Sequence, residues 1–94
     1  MAVTVDNGDL GRAIRRSRRA RNMTIEGLAF AAEMHPTYLS AIERGVANPT
    51  WQRIMSLADA LKTSVLKLVE DAQEEAQIAQ AVRDARERIA AERD

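Results

Sequence analysis

The sequence predicts an all-α fold in which a five-helix domain is followed by a long C-terminal helical extension. Three features predict it. Residues 24–45, TIEGLAFAAEMHPTYLSAIERG, read as two short amphipathic helices joined by a tight turn and closed by a glycine. Ile54, Leu57, Ala58 and Leu61 stand at the i, i+3, i+4, i+7 spacing of a helix with one apolar stripe. The last 25 residues, EDAQEEAQIAQAVRDARERIAAERD, hold no glycine or proline and are dominated by Ala, Glu, Gln and Arg, all strong helix formers.

Each element follows from its own residues. The first helix is expected from a cap at Asp9 to about Arg21, with Leu10, Ile14 and Ser17 or Ala20 inward and Arg12, Arg15, Arg16, Arg19 and Arg21 spread around the rest. Thr24 is a good N-cap for the second, Glu26 places an acid in its first turn, and Leu28, Ala29 and Ala32 share a face, with an end near Glu33. The third opens at His35-Pro36, where the fixed φ of proline suits a first helical position, and turns Tyr38, Leu39 and Ile42 inward until Gly45 stops it. Asn48-Pro49-Thr50 leads into a fourth helix over Trp51–Leu61. Its apolar stripe completes a core with Ile14, Leu28, Leu39 and Ile42. Val65, Leu66, Leu68 and Val69 look like a short fifth helix. In the extension Ile78, Val82, Ala85 and Ile89 form a heptad-like stripe beside a second row at Ala72, Ala76 and Ala79. That stripe is either solvated or, the better reading, packed against a second copy or against its own domain.

Two helices separated by a short turn, with Ala29 and Ala32 small enough for close crossing, have the layout of a DNA-reading helix-turn-helix. Beyond the layout, the segments LGRAIRRSRRARNMT, GLAFAAEMHPTYLSAIERG, NPT and IMSLADALKTS, covering roughly two-thirds of the chain, resemble the Cro/phage-repressor (XRE-like) family. The resemblance implies a helix-turn-helix DNA-binding domain over residues 9–70; on either side of it the residues read as an N-terminal arm over 1–8 and a C-terminal helix over 71–94 for dimer or partner contact. It also implies that Arg18 pairs with Glu43 as a partly buried structural ion pair, and that the fifth helix supplies a dimer contact. Three departures stand out: Pro36 and Ala41 occupy places that often carry long polar side chains, Ile25 that of a phosphate-binding glutamine, and Lys62 that of a helix-ending glycine.

Reading residues must lie on the outward face near the start of the third helix, the end that reaches base edges in the major groove. By position these are Pro36, Thr37, Ser40, Ala41 and Arg44, each with the plainer alternative of an ordinary surface residue. Arg15, Arg16, Arg19, His35, Asn48, Thr50 and Arg53 are the candidates for phosphate contact, against a merely solvated polar face. Backbone N–H groups at the starts of the second and fourth helices could face phosphate as well. Trp51 is read either as a lid on the third helix or as a partner of the sugar-phosphate backbone. Val65, Leu68, Val69, Ile78, Val82 and Ile89 are the candidate dimer contacts.

Composition narrows the classes further. With no cysteine and one histidine, neither a disulfide framework nor a Cys/His metal centre is expected. Neither a catalytic constellation nor a glycine-rich phosphate loop is present, so a non-enzyme without cofactor is expected. No stretch is apolar enough to span a membrane, and the start MAVTVDNGD lacks the basic residues of a signal peptide; a cytoplasmic location follows as an expectation. The zero net charge hides a division: residues 10–62 hold nine Lys/Arg against four Asp/Glu, whereas residues 63–94 hold five against eight. Basic charge is concentrated where DNA would lie.

The reading as a whole is a sequence-specific regulator that binds double-stranded DNA as a homodimer on a two-fold symmetric operator. Two alternatives remain open at this point: an antitoxin whose C-terminal helix holds a toxin or another protein, and an interaction module that never touches DNA.

Overall fold

The computed structural model describes residues 4–93. Residues 1–3 of the expected arm and residue 94 of the extension lie outside them. Five helices, α1 (Asn7–Ala20), α2 (Ile25–Ala31), α3 (Pro36–Glu43), α4 (Trp51–Ala60) and α5 (Val65–Glu92), make up the fold, and no strand occurs among the described residues.

α1 starts three residues earlier than its sequence suggests, because the cap is Asp6 and not Asp9. The Asp6 carboxylate accepts a hydrogen bond from the Asp9 N–H at 2.8 Å, while the Asp9 carboxylate accepts one from the Asp6 N–H at 3.0 Å. This reciprocal capping box draws Asn7 and Gly8 into the first turn and shortens the arm accordingly. The bond from the Asp9 amide also holds the Asp6 carboxyl below its ordinary pKa of 3.8. Thr24, His35, Thr50 and Ser64 cap the other four helices, each accepting from a backbone N–H two or three residues on.

α2 ends at Ala31, two residues short of expectation, since Glu33 takes a left-handed conformation at φ 57° and carries the turn. Asn22 and Lys62 do the same after α1 and α4, at φ 56° and 55°. Only α3 ends in a glycine, Gly45, at φ 78°. A Cβ there would lie 2.7 Å from the Gly8 Cα, so Gly45 meets both a dihedral and a space requirement.

The core sits where the helices converge: Ile14, Leu28, Leu39, Ile42, Leu57, Leu61 and Leu68 are fully buried. α1 crosses α3 at Gly11, where any side chain would collide with the Ile42 carbonyl oxygen and stand 2.5 Å from that of Glu43. The absent side chain brings α3 close enough to α1 for an ion pair to bridge them.

The expected short fifth helix and the separate extension are one helix of 28 residues, since nothing between Val69 and Glu70 breaks the backbone. At 1.5 Å per residue it is about 42 Å long, most of the molecule's 52 Å principal extent. Leu68, Ala72 and Ala76, at i, i+4, i+8, form its buried row and pack against the domain. Ala76 is the last buried residue among those described. The stripe of Ile78, Val82 and Ile89 beyond it is 54%, 44% and 60% exposed, without a partner among the described residues.

Candidate nucleic-acid interface

α3 is held at both ends by its own sequence. At its start the His35 Nδ1 accepts the Thr37 N–H at 3.1 Å, which leaves Nε2 as the ring nitrogen not used in the cap. At its end the N–H groups of Val46 and Ala47 donate to the Ala41 carbonyl at 3.0 and 3.2 Å, satisfying a carbonyl the helix leaves unpaired. Leu39, Ile42 and Glu43 point inward and are buried; Thr37 and Arg44 are exposed, and Pro36, Ser40 and Ala41 are half-buried. Thus Thr37 and Arg44 project furthest from this face, with Ser40 and Ala41 between them.

Arg18 and Glu43 join α1 to the end of this helix. Arg18 Nε and Nη2 donate to the two Glu43 carboxylate oxygens at 2.7 and 3.0 Å, and Nη1 donates to the Met23 carbonyl at 2.9 Å. Both side chains are at most 10% exposed. The bidentate geometry answers the desolvation of both charges. Those bonds push the Arg18 pKa above its ordinary value. No buried side-chain polar atom among the described residues lacks a partner.

The arginines of α1 divide into two sets. Arg15 and Arg19 are exposed and, among the described residues, stay out of the ion pairs that hold Arg12, Arg16 and Arg18. Arg16, expected on phosphate, is turned toward α5: its Nη1 lies 3.0 Å from Glu75, and its Nη2 3.1 Å from Asp71 and 3.8 Å from Glu74. Arg12 pairs with Asp9 and approaches Glu75 at 3.7 Å. Arg16 is thus paired within the chain, with acids that Arg12 and Lys67 share. Its place is in the clamp that seats α5 on α1. The signal for this was present in the sequence, as acids at 71, 74 and 75 on one helical face opposite arginines at 12 and 16, but only the helix pairing brings the two faces together.

Four other expectations need restating. Leu68 is fully buried in the core, so it cannot serve as a free dimer contact. Ile25 packs against the core, which explains why the glutamine's place carries an apolar residue. Trp51, 62% exposed, is no lid on α3; it borders an apolar groove with Val5, Leu10, Ile54, Val65 and Val69, of about 170 Å³. Arg53, expected on phosphate, is engaged within the chain: its guanidinium donates to the Glu33 carbonyl at 3.3 Å and stands over the Tyr38 ring, 5.8 Å from the centroid. Asn48 is exposed, as is Thr50, whose hydroxyl oxygen accepts the Arg53 N–H at 3.2 Å. Sequence reasoning missed Phe30, which is 87% exposed on the outer side of α2.

A family model described as a helix-turn-helix domain matches residues 9–70, two-thirds of the chain and all of the two-helix unit just described. The chain belongs to the helix-turn-helix domain family, among its XRE-like DNA-binding regulators. Its relatives include the control protein C.SmaI of Serratia marcescens, 38% identical over 60 residues that make up 64% of this chain and 71% of that protein. Among solved structures, the clp gene regulator ClgR from Corynebacterium glutamicum superposes with a TM-score of 0.89 at 28% identity, over 93% of each chain. The restriction-modification controller protein C.Esp1396I, solved as a tetramer with its natural 35 base-pair operator, superposes with a TM-score of 0.70 at 27% identity, over 76% of this chain and 93% of that one. The ClgR match extends to helices beyond the helix-turn-helix itself, so most of α5 is part of a shared architecture. Among the described residues, no helix is long and apolar enough to cross a membrane.

Proposed function

We propose that this helix-turn-helix regulator acts as a homodimer on a two-fold symmetric operator, with α3 in the major groove of each half-site. The observation that carries the reading is the division of α3 itself: Leu39, Ile42 and the paired Glu43 are committed to the core, while Thr37 and Arg44 stand free on the opposite face. Thr37, Ser40 and Arg44 would read base edges by hydrogen bonding, and Pro36 or Ala41 a thymine methyl by contact. Arg15, Arg19, Asn48, Thr50 and the His35 Nε2 would hold phosphates around them.

Two features support pairing. A domain this small reaches few base pairs, and a two-fold dimer sets two reading helices about 34 Å apart, one turn of DNA. The apolar groove bordered by Trp51, Val65 and Val69, with the unpartnered stripe of Ile78, Val82 and Ile89, offers the surface. α5 carries the acidic residues of the chain's second part, and α1 neutralises several of them, so this helix is suited to pairing away from phosphate. C.Esp1396I on its operator, assembled as a tetramer, shows that a relative of this architecture combines DNA binding with self-association.

The reading is tested with sites selected from random duplex DNA. Affinity for the selected site should fall with salt at a log–log slope of about −0.9 per phosphate contacted. Thr37→Ala should relax preference at one position per half-site, whereas Arg15→Ala should weaken all sequences alike. A flat salt dependence, or two variants that behave identically, contradicts the assignment. Sedimentation of the full chain at micromolar concentration should give a dimer, and Val82→Glu with Ile89→Glu should weaken it if the stripe is the contact.

A further inference from the structure

Three helices of this chain end in a non-glycine residue with left-handed backbone: Asn22 after α1, Glu33 after α2 and Lys62 after α4. Such a conformation crowds Cβ against the backbone, so something must hold it. At each of the three turns an arginine donates to a carbonyl of the left-handed residue or of the one that follows. Arg18 Nη1 binds the Met23 carbonyl at 2.9 Å, Arg53 Nη1 the Glu33 carbonyl at 3.3 Å, and Arg21 Nη2 the Lys62 carbonyl at 3.2 Å. Arg18 and Arg21 both come from the end of α1 and Arg53 from the start of α4, and Arg21 and Arg53 reach across to another helix end.

From this pattern we infer that Arg53 is a positioning residue for the reading helix and not a phosphate contact. Glu33 lies in the turn of the helix-turn-helix, two residues before the His35 cap of α3. Tyr38, the other group that Arg53 meets, lies on α3 itself. One guanidinium therefore ties the start of α4 to the turn and to the first full turn of the reading helix. Its own backbone N–H is held by the Thr50 cap, so the base of the side chain is fixed as well. Arginine suits this task where lysine does not: its planar group lies against an aromatic ring while an edge N–H donates in the same plane. Loss of the brace lets the turn and the N-terminal end of α3 shift together, and that end carries Thr37.

The inference rests on the DNA-binding reading, and the test separates the two. Arg53→Gln and Arg53→Lys are compared with the parent chain in salt titrations on the selected site, and in backbone amide exchange of the free protein. For a brace, both variants lose about two- to fivefold in affinity, the size of an exposed cation–π contact converted to an equilibrium. The log–log salt slope stays that of the parent, lysine does not restore binding, and exchange quickens at Met34, whose N–H bonds the Ala29 carbonyl across the turn at 2.9 Å. A slope that falls by about 0.9 in the glutamine variant and returns with lysine makes Arg53 a phosphate contact and overturns the inference. Unchanged affinity together with unchanged exchange overturns it too. If the parent chain binds no duplex, the functional reading fails, while the exchange comparison still decides the brace.

Discussion

Replacing Arg18 with methionine is the sharpest perturbation of this fold. The change keeps an apolar stem of similar reach but removes three donors at once: two from the Glu43 carboxylate and one from the Met23 carbonyl. The Glu43 side chain is only 5% exposed, so water cannot replace what is lost without opening the α1–α3 contact. Breaking a buried pair from one side costs about 3–5 kcal/mol, because the remaining charge stays desolvated. That is a large part of the roughly 5–15 kcal/mol that holds a domain together. Removing both members, as Arg18→Met with Glu43→Leu, should cost far less than either single change, since no charge is stranded. Urea unfolding followed by circular dichroism at neutral pH provides the four free energies of the cycle. A coupling of about 2 kcal/mol or more is expected. A single Arg18→Met cost below about 1 kcal/mol, or single costs that simply add in the double variant, would refute the account of the pair as a buried, mutually dependent unit.

Three further predictions follow from the backbone and its caps. Gly11→Ala should destabilise by about 1–3 kcal/mol despite alanine's better helix propensity, because the new methyl meets backbone carbonyls of α3 that cannot rotate away; thermal unfolding measures it, and a more stable variant would show that the helices part freely. Lys62→Gly should stabilise by up to about 1 kcal/mol, since glycine takes the φ of 55° without crowding and the bond from Arg21 reaches only the backbone; an unfolding midpoint lower than the parent's would contradict this. The depressed Asp6 carboxyl contributes stability above its unfolded pKa near 3.8 that is lost as pH falls through the lower folded value. Unfolding midpoints compared between pH 6 and pH 3 should therefore drop more in the parent than in Asp6→Asn, which keeps the cap but does not titrate, and equal drops would remove Asp6 from the acid response.

Which helices form, and which face of α3 is turned out of the core, is decided locally and is open to inspection in the sequence. Thr24, His35-Pro36 and Thr50 cap and start helices through bonds that span two or three residues. The apolar spacing that chose Leu39 and Ile42 for the core left Thr37 and Arg44 outside it by elimination. The boundary of α1 escaped because Asp6 and Asp9 are both competent caps, and the choice between them lies in a reciprocal pair of bonds that residue type alone does not rank. What tertiary structure decided is the fate of the long side chains. Arg15, Arg16 and Arg53 are chemically the same residue, yet one stands in solvent, one pairs with carboxylates of α5, and one lies over Tyr38. Leu68 and Val69 are neighbours of equal apolar character, and the rotation of α5 against α1 buries the first and leaves the second 40% exposed. An arginine carries its charge at the far end of a long stem, so it meets groups on another helix as readily as on its own. Its partner is therefore set by which helices meet, and that is a property of the packed chain.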